Sequence, residues 1–197
     1  YRVDVDLSVV AYNEDFDMLT NVYYCHLKDN QYGLVHSGDF VSSYGEGATE
    51  YIDIDINKAK LRRVRYLVVV INSFTNDFFS NMEDCFMGFM YRDNAQSGEV
   101  FDARTVVNKT DITAESTQVV STIIDLEEMA IYWADLPLTS SAGLNNINSN
   151  QSGIGHTLKS ILNICKPNLY DLIEMNALAR GELVFSREEA DVVFALD

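Results

Sequence analysis

Tyr66-Leu67-Val68-Val69-Val70-Ile71-Asn72 is the stretch on which the fold turns. Its apolar run, Leu67 to Ile71, is unbroken and rich in β-branched residues, which predicts a central strand buried on both faces. Working outward, Arg2 to Tyr12 alternates before turning continuously apolar. Val3, Val5 and Leu7 fall on one face, and Asp4, Asp6 and Ser8 on the other. Asn13-Glu14-Asp15 reads as a turn. Further strands are expected over Asn21–Leu27, Gly33–His36, Tyr51–Ile56, Cys85–Tyr91, Val100–Val107, Ser116–Asp125 and Met129–Asp135. Gaps rich in Gly, Asn, Asp and Ser separate them, and Pro137 and Pro167 lie outside them. Short strands at this spacing predict an antiparallel β-sandwich.

Composition shifts after Leu138. Residues 139–155 carry Ser, Asn, Gly and Gln without periodicity and read as a flexible linker. Leu158, Ile161, Leu162 and Cys165 then recur at helical spacing, and that helix must stop before Pro167. A second helix has Asn168 as N-cap, Asp171 in its first turn and Gly181 just past its end. The tail from Glu188 fits either a short helix or a strand. The chain is thus expected to be mainly β: a sandwich over 1–138, a linker over 139–155 and a helical C-terminal extension over 156–197.

With 197 residues, 47% hydrophobic and 22% charged, the chain can bury a sizeable core. Its 30 acidic against 14 basic residues give a net charge of −16, a field that repels nucleic acid and anionic surfaces and attracts cations. The one dense basic stretch, Lys58, Lys60, Arg62, Arg63 and Arg65, reads as a solvated turn. Cys25, Cys85 and Cys165 are far apart and odd in number, as reduced thiols of a cytoplasmic protein would be. No run reaches the length of a membrane span, and no signal peptide opens the sequence. The chain begins without Met almost directly on a strand, so it is expected to be part of a longer protein.

Chemistry points to one place. Asp4 and Asp6 lie two residues apart on one strand face, where like charges are unfavourable without a cation between them. His36-Ser37-Gly38-Asp39, Gly45-Glu46-Gly47 and Glu50 add acids and glycines that free the backbone to curl. If that loop folds over the first strand, Asp4, Asp6, Asp39, Glu46 and Glu50 can converge as hard oxygen donors of the kind calcium takes. The solvent face of an edge strand explains Asp4 and Asp6 equally well, and a solvated face explains Asp53 and Asp55. The spacing is not that of an EF-hand loop.

Asp4-Val5-Asp6-Leu7-Ser8, Val35-His36-Ser37-Gly38-Asp39, Gly45-Glu46-Gly47, Glu50 and the strand Leu67–Asn72 resemble the tellurium-resistance TerD family. The resemblance covers roughly Arg2 to Leu138. It implies a β-sandwich that binds calcium through Asp4, Asp6, Asp39, Glu46 and Glu50. It also implies a role in resistance to tellurite, phage and other stresses, with other stress-response proteins in assemblies at the inner membrane face. Phe40 stands where the family has Asn, Ala48-Thr49 replaces part of its acidic run, and Asn72 replaces a frequent His. One of the family's two cation sites is therefore expected to be weakened or missing.

An enzyme is not expected. Cys25 and His26 are adjacent, so on a strand they face opposite ways. His36 reads as a hydrogen-bonding group at the base of the acidic loop, and no P-loop, dinucleotide fingerprint or zinc spacing occurs. Phe78, Phe79, Phe86, Phe89 and Tyr91 read as core. The expected function is a non-enzymatic calcium-binding interaction module. The alternatives are a nucleotide or small-ligand sensor that binds phosphate through a cation, and a metal-free structural adaptor.

Overall fold

The computed structural model describes residues 3–39, 48–92, 101–102, 106, 108–138, 147, 151–163, 169–182, 184 and 186–193. The chain divides into two compact units, Tyr1–Ile161 and Leu162–Asp197.

In the first unit, β1 (Val5–Tyr12), β2 (Met18–Val22), β6 (Tyr66–Ser73), β9 (Gln118–Asp125) and β10 (Ala130–Pro137) form a five-stranded sheet. Its order is β10-β9-β6-β1-β2, antiparallel throughout. As its apolar run requires, β6 is central and all eight of its residues are buried. A second sheet holds β3 (Lys28–Asp29), β4 (Leu34–His36) and β5 (Ile52–Ile54), and β7 (Phe86–Phe89) pairs with β8 (Asn108–Asp111).

The core lies between these layers. Val9, Ala11, Val22, Leu67 and Val69 of the large sheet pack with Leu34, Ala59 and Leu126. Further along, Ile71 and Val119 pack with Phe79, Met87 and Ile112. Burying such side chains supplies roughly 1.5–3 kcal/mol each before entropy is counted.

The other face of the large sheet is buried as well: Val10, Tyr12, Val68, Val70, Val120 and Ile123 are each at most 2% exposed. α2 (Gln151–Asn163) lies against this face at Tyr12, because a Cβ added to Gly155 would meet the Tyr12 ring at 3.6 Å. Ile154 and Leu158, four residues apart, are fully buried. The helix therefore begins inside the stretch expected to be linker. Gly153 and Gly155 mask it in the sequence, since each lowers helix propensity by about 1 kcal/mol. Burial of Ile154 and Leu158 offsets that cost. Except for the buried Ile147, residues 139–150 lie outside the described residues.

Other expectations need correction. The strand expected over Asn21–Leu27 begins earlier, at Met18, and Tyr23–His26 is a tight turn closed by paired backbone bonds of 3.1 and 2.8 Å. The basic stretch is partly helical: α1 (Ile56–Leu61) starts where Asp55 Oδ1 accepts from the Lys58 amide at 3.1 Å. Gly33 makes this possible. Its φ is +71°, and a Cβ there would sit 2.8 Å from Asp55 Cβ. Asp53 accepts from Arg92 Nη2 at 2.7 Å, so neither acid of that pair is simply solvated face. Pro137 closes β10, an edge strand that tolerates proline. Of the expected Val100–Val107 strand, the described residues 101, 102 and 106 are not in a strand, and β8 follows at Asn108.

The aromatic group is not uniformly core either. Phe79 is buried, whereas Phe78, Phe89 and Tyr91 are exposed. A short 3-10 turn, Phe79–Asn81, turns Phe79 inward beside Ile71 and Met87.

In the second unit, α3 (Leu169–Arg180) ends as its sequence predicts. The Gly181 amide donates to the Ala177 carbonyl at 2.9 Å. Leu172, Met175 and Leu178 are exposed along it. The described tail, 186–193, is neither helix nor strand. No helix among the described residues is long and apolar enough to cross a membrane.

Candidate metal centre

The site is built on the first half of β1, where one strand edge has no strand partner among the described residues. Val5 to Ser8 pair with β6, while pairing with β2 starts only at Val9. Side chains take over the open edge. The Leu7 amide donates to Glu50 Oε2 at 2.8 Å, and the Leu7 carbonyl lies 3.0 Å from His36 Nε2. These contacts satisfy backbone groups that burial would otherwise penalise.

His36 also ties this edge to the loop. Its Nδ1 accepts from the Gly38 amide at 3.0 Å, so the neutral ring carries its proton on Nε2 and donates to Leu7. Burial pushes the His36 pKa down, but the hydrogen bond and charge of Glu50, the Leu7 carbonyl and the Asp6 charge outweigh it and hold it above 6.5. Protonation, which Glu50 favours, must break the Gly38 contact. The turn continues through Gly38 at φ +118°, a conformation that L side chains rarely adopt. The Ser37 amide donates to the Tyr51 carbonyl at 2.8 Å, and the Tyr51 amide returns to Ser37 Oγ at 3.0 Å. Both ends of the acidic loop are thus pinned, and Asp39 is placed over β1.

Three carboxylates meet there. Asp4, Asp6 and Asp39 each offer an oxygen, all within 4.8 Å of one another. Asp6 is 3% exposed and Asp4 9%, while Asp39 is open to solvent. Burial, followed by the Glu50 charge, raises the Asp6 pKa from 3.8 to about 7. A hydrogen bond from Asn72 opposes the rise, and the charges of Asp4 and Asp39 add to it. Such a site favours either a proton or a cation. Carboxylate oxygens alone suit a hard divalent ion such as calcium or magnesium, not the nitrogen and sulfur sites that select zinc or copper.

The structure therefore brings together Asp4, Asp6 and Asp39 from the expected set. Glu50 is drawn into bonding Leu7 and His36, though its charge still acts on Asp6. Glu46 lies outside the described residues.

Two further residues support the site, one marked in the sequence only as a departure from the family and one not marked at all. Asn72 Nδ2 donates to Asp6 Oδ2 at 3.4 Å, and Gln118 Nε2 donates to Asn72 Oδ1 at 3.3 Å. Asn72 closes the apolar run and stood out in the sequence as the residue in place of a frequent His, without a role toward Asp6. Gln118 gave no signal, since only the pairing of β6 with β9 brings it there.

No family model matches the chain. Tellurium resistance protein TerZ of Serratia marcescens is 26% identical over 84 residues, a stretch that is 43% of this chain and 43% of that protein. The crystal structure of a homologue of telluride resistance protein TerD from Streptomyces coelicolor A3(2) superposes with a TM-score of 0.54 at 11% identity. The match covers 72% of this chain and 83% of the other. A second solved structure, of a protein of unknown function, gives 0.51 at 12% identity over 70% and 82%. At these identities the structural likeness shows the fold. Together with the TerZ match, the chain resembles the tellurium-resistance TerD family.

Proposed function

We propose that this chain is a non-enzymatic, calcium-binding interaction module of the TerD type. The convergence of Asp4, Asp6 and Asp39 within 4.8 Å carries the reading. Buried like charges are costly, and a cation among them turns the cost into an attraction. One ion is held, its donors completed by loop carbonyls and water. It fastens the turn at Gly38-Asp39 to β1 and stiffens the surface around it.

The wider role rests on the resemblance to TerZ and to the TerD homologue. By that route the protein acts in the cytoplasm in tellurite and stress resistance, with other stress-response proteins in assemblies at the inner membrane face. Because the sequence match spans 43% of TerZ, these roles are carried from a partial alignment.

Thermal unfolding in calcium chloride, magnesium chloride and chelator tests the cation. A ligand bound only by the native state adds about 2.7 kcal/mol at a hundredfold excess over its dissociation constant. The midpoint should rise in calcium and not in the Asp39→Ala variant. Asp39 is exposed, so this variant should match the parent in chelator. An unchanged midpoint in all three solutions refutes the reading.

A further inference from the structure

Asp6, Asn72 and Gln118 sit directly opposite one another on three neighbouring strands, β1, β6 and β9. They are 3%, 3% and 0% exposed. Two residues along on the same face, Val70 lies opposite Val120, so the sheet can build this face from apolar side chains. A buried polar rung costs stability unless its members satisfy one another.

The rung has one polarity. Asp6 ends it as a carboxylate, which only accepts, so Asn72 must turn Nδ2 toward it. That leaves Asn72 Oδ1 to accept from Gln118 Nε2. The far end is anchored in the backbone. The Gln118 carbonyl accepts from the Leu138 amide at 2.8 Å and from Ser116 Oγ at 2.9 Å, and the Gln118 amide donates to Ser116 Oγ at 3.2 Å. The single Ser116 hydroxyl proton is shared with the Leu138 carbonyl, 3.0 Å away. Orientation is therefore passed from a fixed point on β9, through one amide, to the carboxylate facing Asp4 and Asp39. The side-chain contacts, at 3.3 and 3.4 Å, are long, so their effect is directional more than energetic.

Resting on the cation reading above, we infer that Asn72 and Gln118 are positioning residues for the cation-binding carboxylate of Asp6. Asn72 supplies a donor that fixes the plane of the carboxylate, and Gln118 fixes the amide of Asn72. Partners of this kind, one shell out from an ion, typically change metal affinity by roughly tenfold to a hundredfold when removed.

The test titrates calcium calorimetrically into the 197-residue chain and into Asn72→Leu, Gln118→Leu and Asn72→His, each also melted in chelator. The two leucine variants should bind calcium roughly tenfold to a hundredfold more weakly, a loss larger than any fall of their midpoints in chelator accounts for. Asn72→His returns a ring N–H donor to Asp6 and should bind within about threefold of the parent, a rescue that a packing role would not produce. Gln118→Met, closer in shape, replaces Gln118→Leu if the latter does not fold. Leucine variants that bind as the parent does, or lose affinity only in step with stability, overturn the inference and leave the cation reading standing. A parent chain that takes up no calcium overturns both, and shows it before any variant is made.

Discussion

Replacing Asp6 by Asn separates the cost of the acidic cluster from its use. In the metal-free protein Asp6 titrates near 7 because it is buried beside Glu50, Asp4 and Asp39, against 3.8 when unfolded. Between these values the native state holds a proton that the unfolded chain has released, so stability falls as pH rises through this window. Above pH 7 the full penalty is present, and below about 4 it vanishes. The difference of roughly three units corresponds to an upper bound on the order of 4 kcal/mol at 1.36 kcal/mol per unit. Asn at position 6 keeps an oxygen for Asn72 Nδ2 and carries no charge. Asp6→Asn should therefore melt above the parent at pH 8 in chelator, by up to roughly 10 °C for a chain of this length. The gap should close toward pH 5. In calcium the order should reverse, with the parent gaining and the variant not responding. Scanning fluorimetry over pH 5–8, in chelator and in calcium, reads all of this. A variant less stable than the parent at pH 8 in chelator, or one with the same pH slope, would show that the Asp6 charge carries no such penalty.

Gly33→Ala meets both a φ of +71° and Asp55 Cβ at 2.8 Å, so it should cost about 2–3 kcal/mol in chemical denaturation. Gly38→Ala meets no atom of the described residues within 4 Å, only the backbone strain of φ +118°. It should cost about 1 kcal/mol, with a larger loss in calcium affinity because Asp39 moves. Leu158→Ala should leave a cavity worth about 2–4 kcal/mol, whereas Leu172→Ala on α3, at 47% exposure, should stay within about 0.5 kcal/mol. Equal effects at these two positions would contradict the packing of α2. Glu50→Gln keeps an oxygen for the Leu7 amide but removes the charge beside His36. The His36 titration midpoint, followed by NMR, should fall toward its ordinary value.

Much of the β architecture was legible because local patterning states which side of a strand is buried. The apolar run of β6 did so. The alternation of β1 separated Asp6 from Val5 and Leu7, yet the acidic face is the more buried one, with Asp6 3% exposed and Val5 and Leu7 only half-buried. Capping chemistry is local too, and it placed the end of α3 at Gly181. The N-terminal half of α2 was hidden because its glycines carry a loop signature, and only tertiary packing shows that Ile154 and Leu158 are fully buried. The aromatic group misled for the converse reason. Phe78 and Phe79 are alike in composition, but the 3-10 turn buries one and exposes the other.

The same division runs through the site. Sequence alone was enough to put Asp4 and Asp6 on one strand face and to mark His36-Ser37-Gly38-Asp39 as the start of an acidic, glycine-bearing loop, since both follow from neighbours along the chain. Only the tertiary structure decided that Asp39 joins them, that Glu50, 43 residues away, bonds the Leu7 amide, and that Gln118, 46 residues from Asn72, steadies the amide facing Asp6. Local alternation sets the side toward which a carboxylate points. Which strand lies beside it, and in what register, is settled by the packing of two layers across long sequence separations, and that packing selects the charges that must share one place.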